Sequence, residues 1–491
     1  MSFQDIRKSG VLLHPTSLPG GDLFGDIGPN AYRFIDDLSH MEQSLWQILP
    51  IGPVDQYNSP YSSASTFAGN ELLISLDILA KKNLLDQKHL NEFRSLDKVK
   101  TSFTYFSNYK KAILKQVAAK FNSNANNNMK DRFNTFCKKE SYWLDDYVQF
   151  CVLKDCNSQK QWFDWTSSNY NPNDITFYKI IQFLFDDQWK KLKRYCNSKN
   201  VKIIGDMPIY VGYDSADVYH NKELFQLDDS GLMKFKAGCP PCNYQQKGQV
   251  WGNPVYDWAK HEQSNFKWWR QRFNRLLDMV DIIRLDHFIG YQRYYKIPIN
   301  DATAENGQWD KSKGDELFDS LTSIINNDNI IAEDLGDITP EVIKLRDKHG
   351  FSGMEVFQFD FNPSISLENS TNHSVVYTGT HDNDTIIGWF NSLNEKSLNS
   401  DKLSRTNLLD YFNCNNTTVN WEIINYVMSL NNYICIIPMQ DILSLDSSCR
   451  FNTPGILSEN NWKWKMEEHL KNKVKNRLMK FTIKNNRKIK I

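Results

Sequence analysis

The chain has 491 residues, with 58 Lys plus Arg against 58 Asp plus Glu, so it carries no net charge at pH 7. That balance excludes a strongly basic nucleic-acid binder and a polybasic membrane-surface protein, and it suits an uncharged substrate. Nine cysteines are scattered from Cys137 to Cys449 without framework spacing, the start (Met1-Ser-Phe-Gln-Asp-Ile-Arg-Lys) is polar, and no apolar run approaches about 18 residues. The expectation is a cytoplasmic, soluble enzyme-sized chain with reduced thiols.

In chain order, short apolar runs ending in turn residues alternate with helical stretches. They are Val11-Leu-Leu-His, Leu45-Trp-Gln-Ile-Leu-Pro-Ile, Val201-Lys-Ile-Ile-Gly-Asp-Met and Asp281-Ile-Ile-Arg-Leu-Asp, then Asn329-Ile-Ile-Ala-Glu-Asp, Met354-Glu-Val-Phe-Gln-Phe, Val375-Val-Tyr-Thr-Gly-Thr and Ile434-Cys-Ile-Ile-Pro-Met. Short, continuously apolar runs suit parallel strands buried on both faces. Eight of them interleaved with helices predict an α/β fold, a (β/α)8 barrel.

Such a barrel needs only about 250 residues, so the remainder is insertion. The spacing puts one mainly helical insert at approximately 70–196, between the second and third strands. Another lies at approximately 210–280, between the third and fourth, reading as a Pro/Gly-rich loop and further helix. An Asn-rich stretch, Asn122 to Asn128, reads as a solvated connection within the first insert. The whole of 1–491 is read as one catalytic domain, ending too soon after the eighth strand for a C-terminal β-sandwich. Cys239 and Cys242 form a lone Cys-x-x-Cys pair with no second pair to complete a zinc site, so no metal and no cofactor are expected.

Barrel enzymes carry their chemistry at the C-terminal ends of the strands. Three strand ends here finish in acids: Arg284-Leu-Asp286, Ala332-Glu333-Asp and His381-Asp382-Asn-Asp. One such acid is commonplace, since Asp caps the following helix. Three converging on one axis match the needs of retaining glycosidic chemistry, in which one carboxylate attacks the anomeric carbon and a protonated partner serves the leaving oxygen. Period two along a strand sends Arg284 inward beside Asp286, where its guanidinium can pair with and orient that carboxylate.

The segments Arg284-Leu-Asp-His-Phe, Ile331-Ala-Glu-Asp-Leu-Gly and Tyr377-Thr-Gly-Thr-His-Asp-Asn-Asp-Thr closely resemble the three catalytic segments of the amylomaltases, the disproportionating 4-α-glucanotransferases of glycoside hydrolase family 77. Gly10-Val-Leu-Leu-His-Pro-Thr-Ser-Leu-Pro-Gly, Ser59 to Asn70, Gly205-Asp-Met-Pro-Ile-Tyr-Val, Gly248-Gln-Val-Trp-Gly-Asn-Pro and Arg450-Phe-Asn-Thr-Pro-Gly extend the resemblance in the same order over nearly the whole barrel. It implies Asp286 as nucleophile, Glu333 as general acid/base and Asp382 as a binder of sugar hydroxyls that stabilises the transition state. It also implies substrate contacts from Tyr57, Ser59, Tyr61, Tyr244, Gln249, Trp251, Asn253, Arg284 and His381, with Asp206 serving a sugar or positioning Arg284. The loop Ala237 to Pro254, stiffened by Pro240-Pro241, resembles one that overhangs the family's cleft and helps exclude water. Partners on this reading are maltooligosaccharides and related α-1,4-glucans, with no nucleic acid or membrane, and the chain is a monomer or homodimer.

Three positions depart from the pattern: Cys242 replaces an acid in the overhanging loop, Ile289 an arginine behind the nucleophile, and Lys465 an arginine. None touches the carboxylates, so rate or chain-length preference is expected to change rather than reaction class. Two alternatives stand beside transfer, namely an α-glucan hydrolase on the same scaffold and a non-catalytic glucan-binding protein. His287 and His373 are read as structural.

Overall fold

The computed structural model describes residues 7–20, 23–96, 101–242, 245–362, 373–395, 403–456, 458 and 460–489. Twelve strands run through them: β1 (Lys8–Leu12), β2 (Leu45–Gln47), β3 (Lys202–Met207), β4 (Phe235–Cys239), β5 (Gln249–Pro254), β6 (Ile282–Leu285), β7 (Arg293–Pro298), β8 (Gln308–Lys311), β9 (Ile330–Ala332), β10 (Gly353–Val356), β11 (Ser374–Tyr377) and β12 (Ile434–Pro438).

Eight of these form one parallel sheet in the order β10-β11-β12-β1-β2-β3-β6-β9. It closes on itself where Ile331 bridges Ser352, the Ala332 amide donating to the Ser352 carbonyl at 2.8 Å. All eight apolar runs read from the sequence are barrel strands, in sequential spatial order, and the fold is the expected (β/α)8 barrel.

Period two divides the apolar residues between two cores. On β3 and β6, Ile204 and Ile282 face inward and join Leu12, Leu45, Ile331, Val375 and Ile434 in the barrel interior. Their alternates Ile203, Ile283 and Leu285 face outward, with Val11, Trp46 and Val376, and pack under the surrounding helices. Arg284 shares parity with Ile282, so it enters the interior at the level where the aliphatic filling gives way to polar side chains.

Between β2 and β3 lie the long helices Phe103–Asn124, Asn127–Lys139, Ser141–Cys156 and Pro172–Ser198. The Asn-rich stretch is the joint between the first two: Asn126 caps the second, its side chain accepting from the Met129 amide at 2.9 Å. The segment between β3 and β6 holds helices at Trp258–Gln263 and Lys267–Met279, and also the antiparallel pair β4 and β5. That pair belongs to a four-stranded antiparallel sheet, β5-β4-β7-β8, whose other two strands come from a stretch after β6 that the sequence reading leaves unmarked. Half-buried strands with mixed residues, such as Gln249-Val-Trp-Gly-Asn-Pro, lack the continuous apolar signal that marks a barrel strand. Among the described residues no helix is long and apolar enough to cross a membrane.

Candidate active site

Arg284 organises the mouth of the barrel. Its side chain is 3% exposed, and Nη1 donates to both oxygens of Asp206, at 2.9 and 2.7 Å, and to Asp286 Oδ1 at 2.8 Å. Nη2 stands 3.9 Å from Glu333 Oε1. One guanidinium therefore serves acids from three strand ends, those of β3, β6 and β9, and its charge is held well above the ordinary arginine range by them despite burial. A planar fork of five donors suits this sharing, which a lysine ammonium could not reproduce.

Glu333 differs from its neighbours. Burial pushes its carboxyl well above the usual carboxylate range, with Asp286 and Asp382 adding to the rise and Arg284 opposing it. Its Oε2 accepts the backbone N–H of His287. That amide faces Glu333 because His287 adopts a left-handed backbone, φ 51°, directly after the nucleophile candidate. A non-glycine residue in that region carries a strain of order 1 kcal/mol and persists where neighbours fix it. Here the Phe288 amide donates to the Glu333 carbonyl and the Glu333 amide to Leu285, both at 3.0 Å, locking the two strand ends together.

Asp206 lies under this pair with no exposed side-chain surface. Burial raises it, against the pull of Arg284. It also accepts the Tyr61 hydroxyl at 2.7 Å, and that hydroxyl lies 3.0 Å from His381 Nε2. A phenol that donates to Asp206 can only accept from the imidazole, which puts the proton of His381 on Nε2. The same Nε2 is 3.3 Å from Asp382 Oδ1. Tyr61 and His381 lie nearly parallel, ring centroids 5.3 Å apart, with Trp462 against both. His14 sits behind, pushed down to about 3 by burial and by His381, and is therefore neutral.

Asp382 is the open member, its side chain 41% exposed. Asn452 donates to its Oδ1 at 2.6 Å, and Arg450 Nη2 donates to its carbonyl at 2.5 Å. Arg450 to Gly455 stands out in the sequence as a motif with no evident task, and neither the His287 amide nor Trp462 carries a signal there. A backbone donor leaves no residue-type signal, and Asn452 is 70 residues from its partner.

Around this centre, Tyr57 is 53% exposed on a turn held by Asp55, which accepts the amides of Tyr57 and Ser59 at 2.9 and 3.0 Å. The Ser59 hydroxyl accepts from the Tyr61 amide at 3.3 Å. Trp251 meets His287 edge-on at 4.9 Å and donates to Gln249 Oε1 at 2.9 Å, while Asn253 donates to the Val211 carbonyl at 2.8 Å. Tyr244 lies outside the described residues. Of the departures, Cys242 is exposed and bridges Gln245, Ile289 is buried, and Lys465 donates to the Gly20 carbonyl at 3.2 Å. His373 lies 3.4 Å from the Ser352 hydroxyl.

Desolvation thus raises one carboxyl well above the usual range beside a second that is paired to an arginine, with a third exposed at the rim. Such a set can donate a proton to one oxygen while another oxygen attacks carbon.

A family model described as 4-alpha-glucanotransferase matches residues 13–471. A 4-alpha-glucanotransferase of Synechocystis sp. is 40% identical over 482 residues, 94% of each chain, and one of Clostridium butyricum is 37% identical over 492 residues, 96% of this chain and 99% of the other. Among solved structures, an amylomaltase from Streptococcus agalactiae in complex with acarbose superposes with a TM-score of 0.91 at 31% identity, covering 98% of this chain and 100% of that one. An amylomaltase from Corynebacterium glutamicum, at 17% identity and TM-score 0.81 over 99% and 76% of the two chains, shares the fold.

Proposed function

As a member of the 4-alpha-glucanotransferase family the chain has 4-α-glucanotransferase activity on α-glucans, and we propose that it moves α-1,4-glucan segments from a maltooligosaccharide donor to the 4-OH of a glucose or glucan acceptor by retaining double displacement. Asp286 attacks the anomeric carbon as the Glu333 carboxyl proton passes to the departing glycosidic oxygen, leaving a glycosyl-aspartate. Glu333, now the base, takes the proton of an acceptor 4-OH as that oxygen displaces Asp286, and the original configuration returns. Asp382 binds ring hydroxyls and stabilises the oxocarbenium-like charge. His381 donates from Nε2 beside it.

The observation that carries this reading is the unequal treatment of two acids on one arginine. Asp286 accepts from Arg284 at 2.8 Å, while burial holds Glu333 well above the carboxylate range. Asp206 and Tyr61 position Arg284 and His381 from beneath. Tyr57, Ser59, Tyr244, Gln249, Trp251 and Asn253 belong to the glucan-contacting rim, where aromatic faces suit the apolar faces of sugar rings. The single catalytic domain 1–491, with inserts near 70–196 and 210–280, needs no cofactor for this chemistry. Nine free thiols support a reducing, cytoplasmic location, and the assembly is a monomer or homodimer.

Incubation with maltotriose alone tests the reaction. Longer maltooligosaccharides plus glucose, at constant total reducing ends, are expected. Rising reducing ends without longer products would make the chain a hydrolase. Asp286→Asn is expected to fold normally and abolish both the ladder and the covalent intermediate, and turnover at the wild-type rate would remove Asp286 as nucleophile.

A further inference from the structure

The loop that carries His381 and Asp382 leaves β11 at Thr378 and ends at Ile386, the first residue of the helix Ile386–Ser392. Both ends meet the same side chain. The Thr378 hydroxyl donates to Asp441 Oδ2 at 2.6 Å, and the Ile386 amide donates to Asp441 Oδ1 at 2.8 Å. Asp441 is 1% exposed, on the short helix Met439–Ile442 that follows β12. Its own backbone is fixed in turn, its carbonyl accepting from Asn420 at 3.0 Å.

We infer that Asp441 is a positioning residue for glucan transfer, its carboxylate clamping both ends of the Thr378–Ile386 loop so that Asp382 and His381 stand at the reacting sugar. The inference rests on the role given to Asp382 above. Asp441 is 1% exposed, with its carboxylate taken up by the two loop ends, so it acts through Asp382 and His381, not on substrate.

A small cavity of about 30 Å³, lined in part by His14, His381, Asn383 and Asp441, borders the loop, so its packing there is incomplete. Within the loop Asn452 and Arg450 grip Asp382, Tyr61 meets His381, and Gln358 and Ser447 hold Asp384, while Asp441 is the side chain that takes both of its ends. Removing the carboxylate would leave a buried amide and a buried hydroxyl without partners, and the loop would move to satisfy them. A displacement near 1 Å at a catalytic group is costly in rate even when binding survives.

The test is a set of variants assayed by maltotriose disproportionation, with near-ultraviolet circular dichroism as the control for folding. Asp441→Ala is expected to lower kcat by about 10-fold or more while the donor KM stays within about twofold. Asp441→Asn keeps an acceptor for the Ile386 amide and offers an N–H to the Thr378 oxygen, so it is expected to recover kcat to within about threefold. In the Asp382→Asn background, Asp441→Ala is expected to cost little more, since both act through one loop. Additive losses in that cycle would overturn the inference, as would a folded Asp441→Ala enzyme with wild-type kcat. If Asp441→Ala does not fold, Thr378→Val carries the test with an expected loss of about threefold in kcat, and a wild-type kcat there is equally fatal. An Asp382→Asn enzyme at full rate would bring down the role of Asp382 and this inference together. An inactive Asp382→Asn beside a fully active Asp441→Ala brings down this inference alone.

Discussion

At the scale of the residue, the acids at the barrel mouth are told apart by surroundings rather than by type. Glu333, its side chain 18% exposed, is largely desolvated and faces the negative charges of Asp286 and Asp382, so it keeps its proton to higher pH than an ordinary glutamate. In the proposed role of general acid Glu333 must be protonated to donate, so kcat/KM is expected to fall as pH rises through the raised Glu333 value, later than for an ordinary glutamate. Asp286→Asn removes one of the charges that raises it, so ionisation becomes easier and the Glu333 titration should shift down. Burial, the larger cause, is untouched and keeps it above the ordinary range. Carbon-13 titration of the carboxyl in that variant reads the shift, and a movement upward would refute the coupling.

At the scale of the element, the barrel strands are short, and neighbouring strands meet at places where no side chain fits. Gly10 on β1 pairs with Leu45 on β2, and a Cβ at Gly10 would lie 2.5 Å from both the Leu45 Cβ and the Leu45 carbonyl oxygen. Backbone cannot step aside there without parting the two strands. Gly10→Ala is therefore expected to destabilise the fold by about 1–3 kcal/mol, read from the denaturant midpoint. A neutral result would mean the barrel can widen at this seam. The sequence showed each strand through its apolar run, but β4, β5, β7 and β8 escaped. They are half-buried, and their pairing joins segments on either side of β6. Nothing local to Arg293-Tyr-Tyr-Lys-Ile-Pro announces that its partner is Phe235-Lys-Ala-Gly-Cys.

At the scale of the whole molecule, the chain end is tied back to the chain start. Arg487 is fully buried and donates to the carbonyls of Met428, Lys8, Leu430 and Asn432, at 2.7, 2.8, 2.7 and 3.0 Å. It thereby joins the C-terminal segment, the lead into β12 and the first residue of β1 at the bottom of the barrel. Burial lowers its pKa to about 10, which leaves it charged at neutral pH. Arg487→Ala removes a charged donor from four carbonyls, of which Met428 and Leu430 keep Arg7, and is expected to cost about 2 kcal/mol or more. The kcat of the protein that remains folded should be unchanged, because the site is at the opposite end of the strands. Loss of rate without loss of stability would contradict this division.

The sequence by itself determined the barrel, because parallel strands buried on both faces write a continuous apolar run that needs no partner to be recognised. It also determined the acids at the strand ends, since period two and the C-terminal ends of strands leave few positions for chemistry. Tertiary structure alone decided how those acids differ. Glu333 is raised by desolvation and by the charges of Asp286 and Asp382, against the pull of Arg284 and of the His287 amide, and none of this leaves a mark in residue order. The same holds for the supports of Asp382. Asn452 and Asp441 reach it or its loop from beyond β12, across more than 50 residues of chain. A hydrogen bond of that span is fixed by where the barrel closes, and closure is a property of the folded sheet rather than of any segment within it.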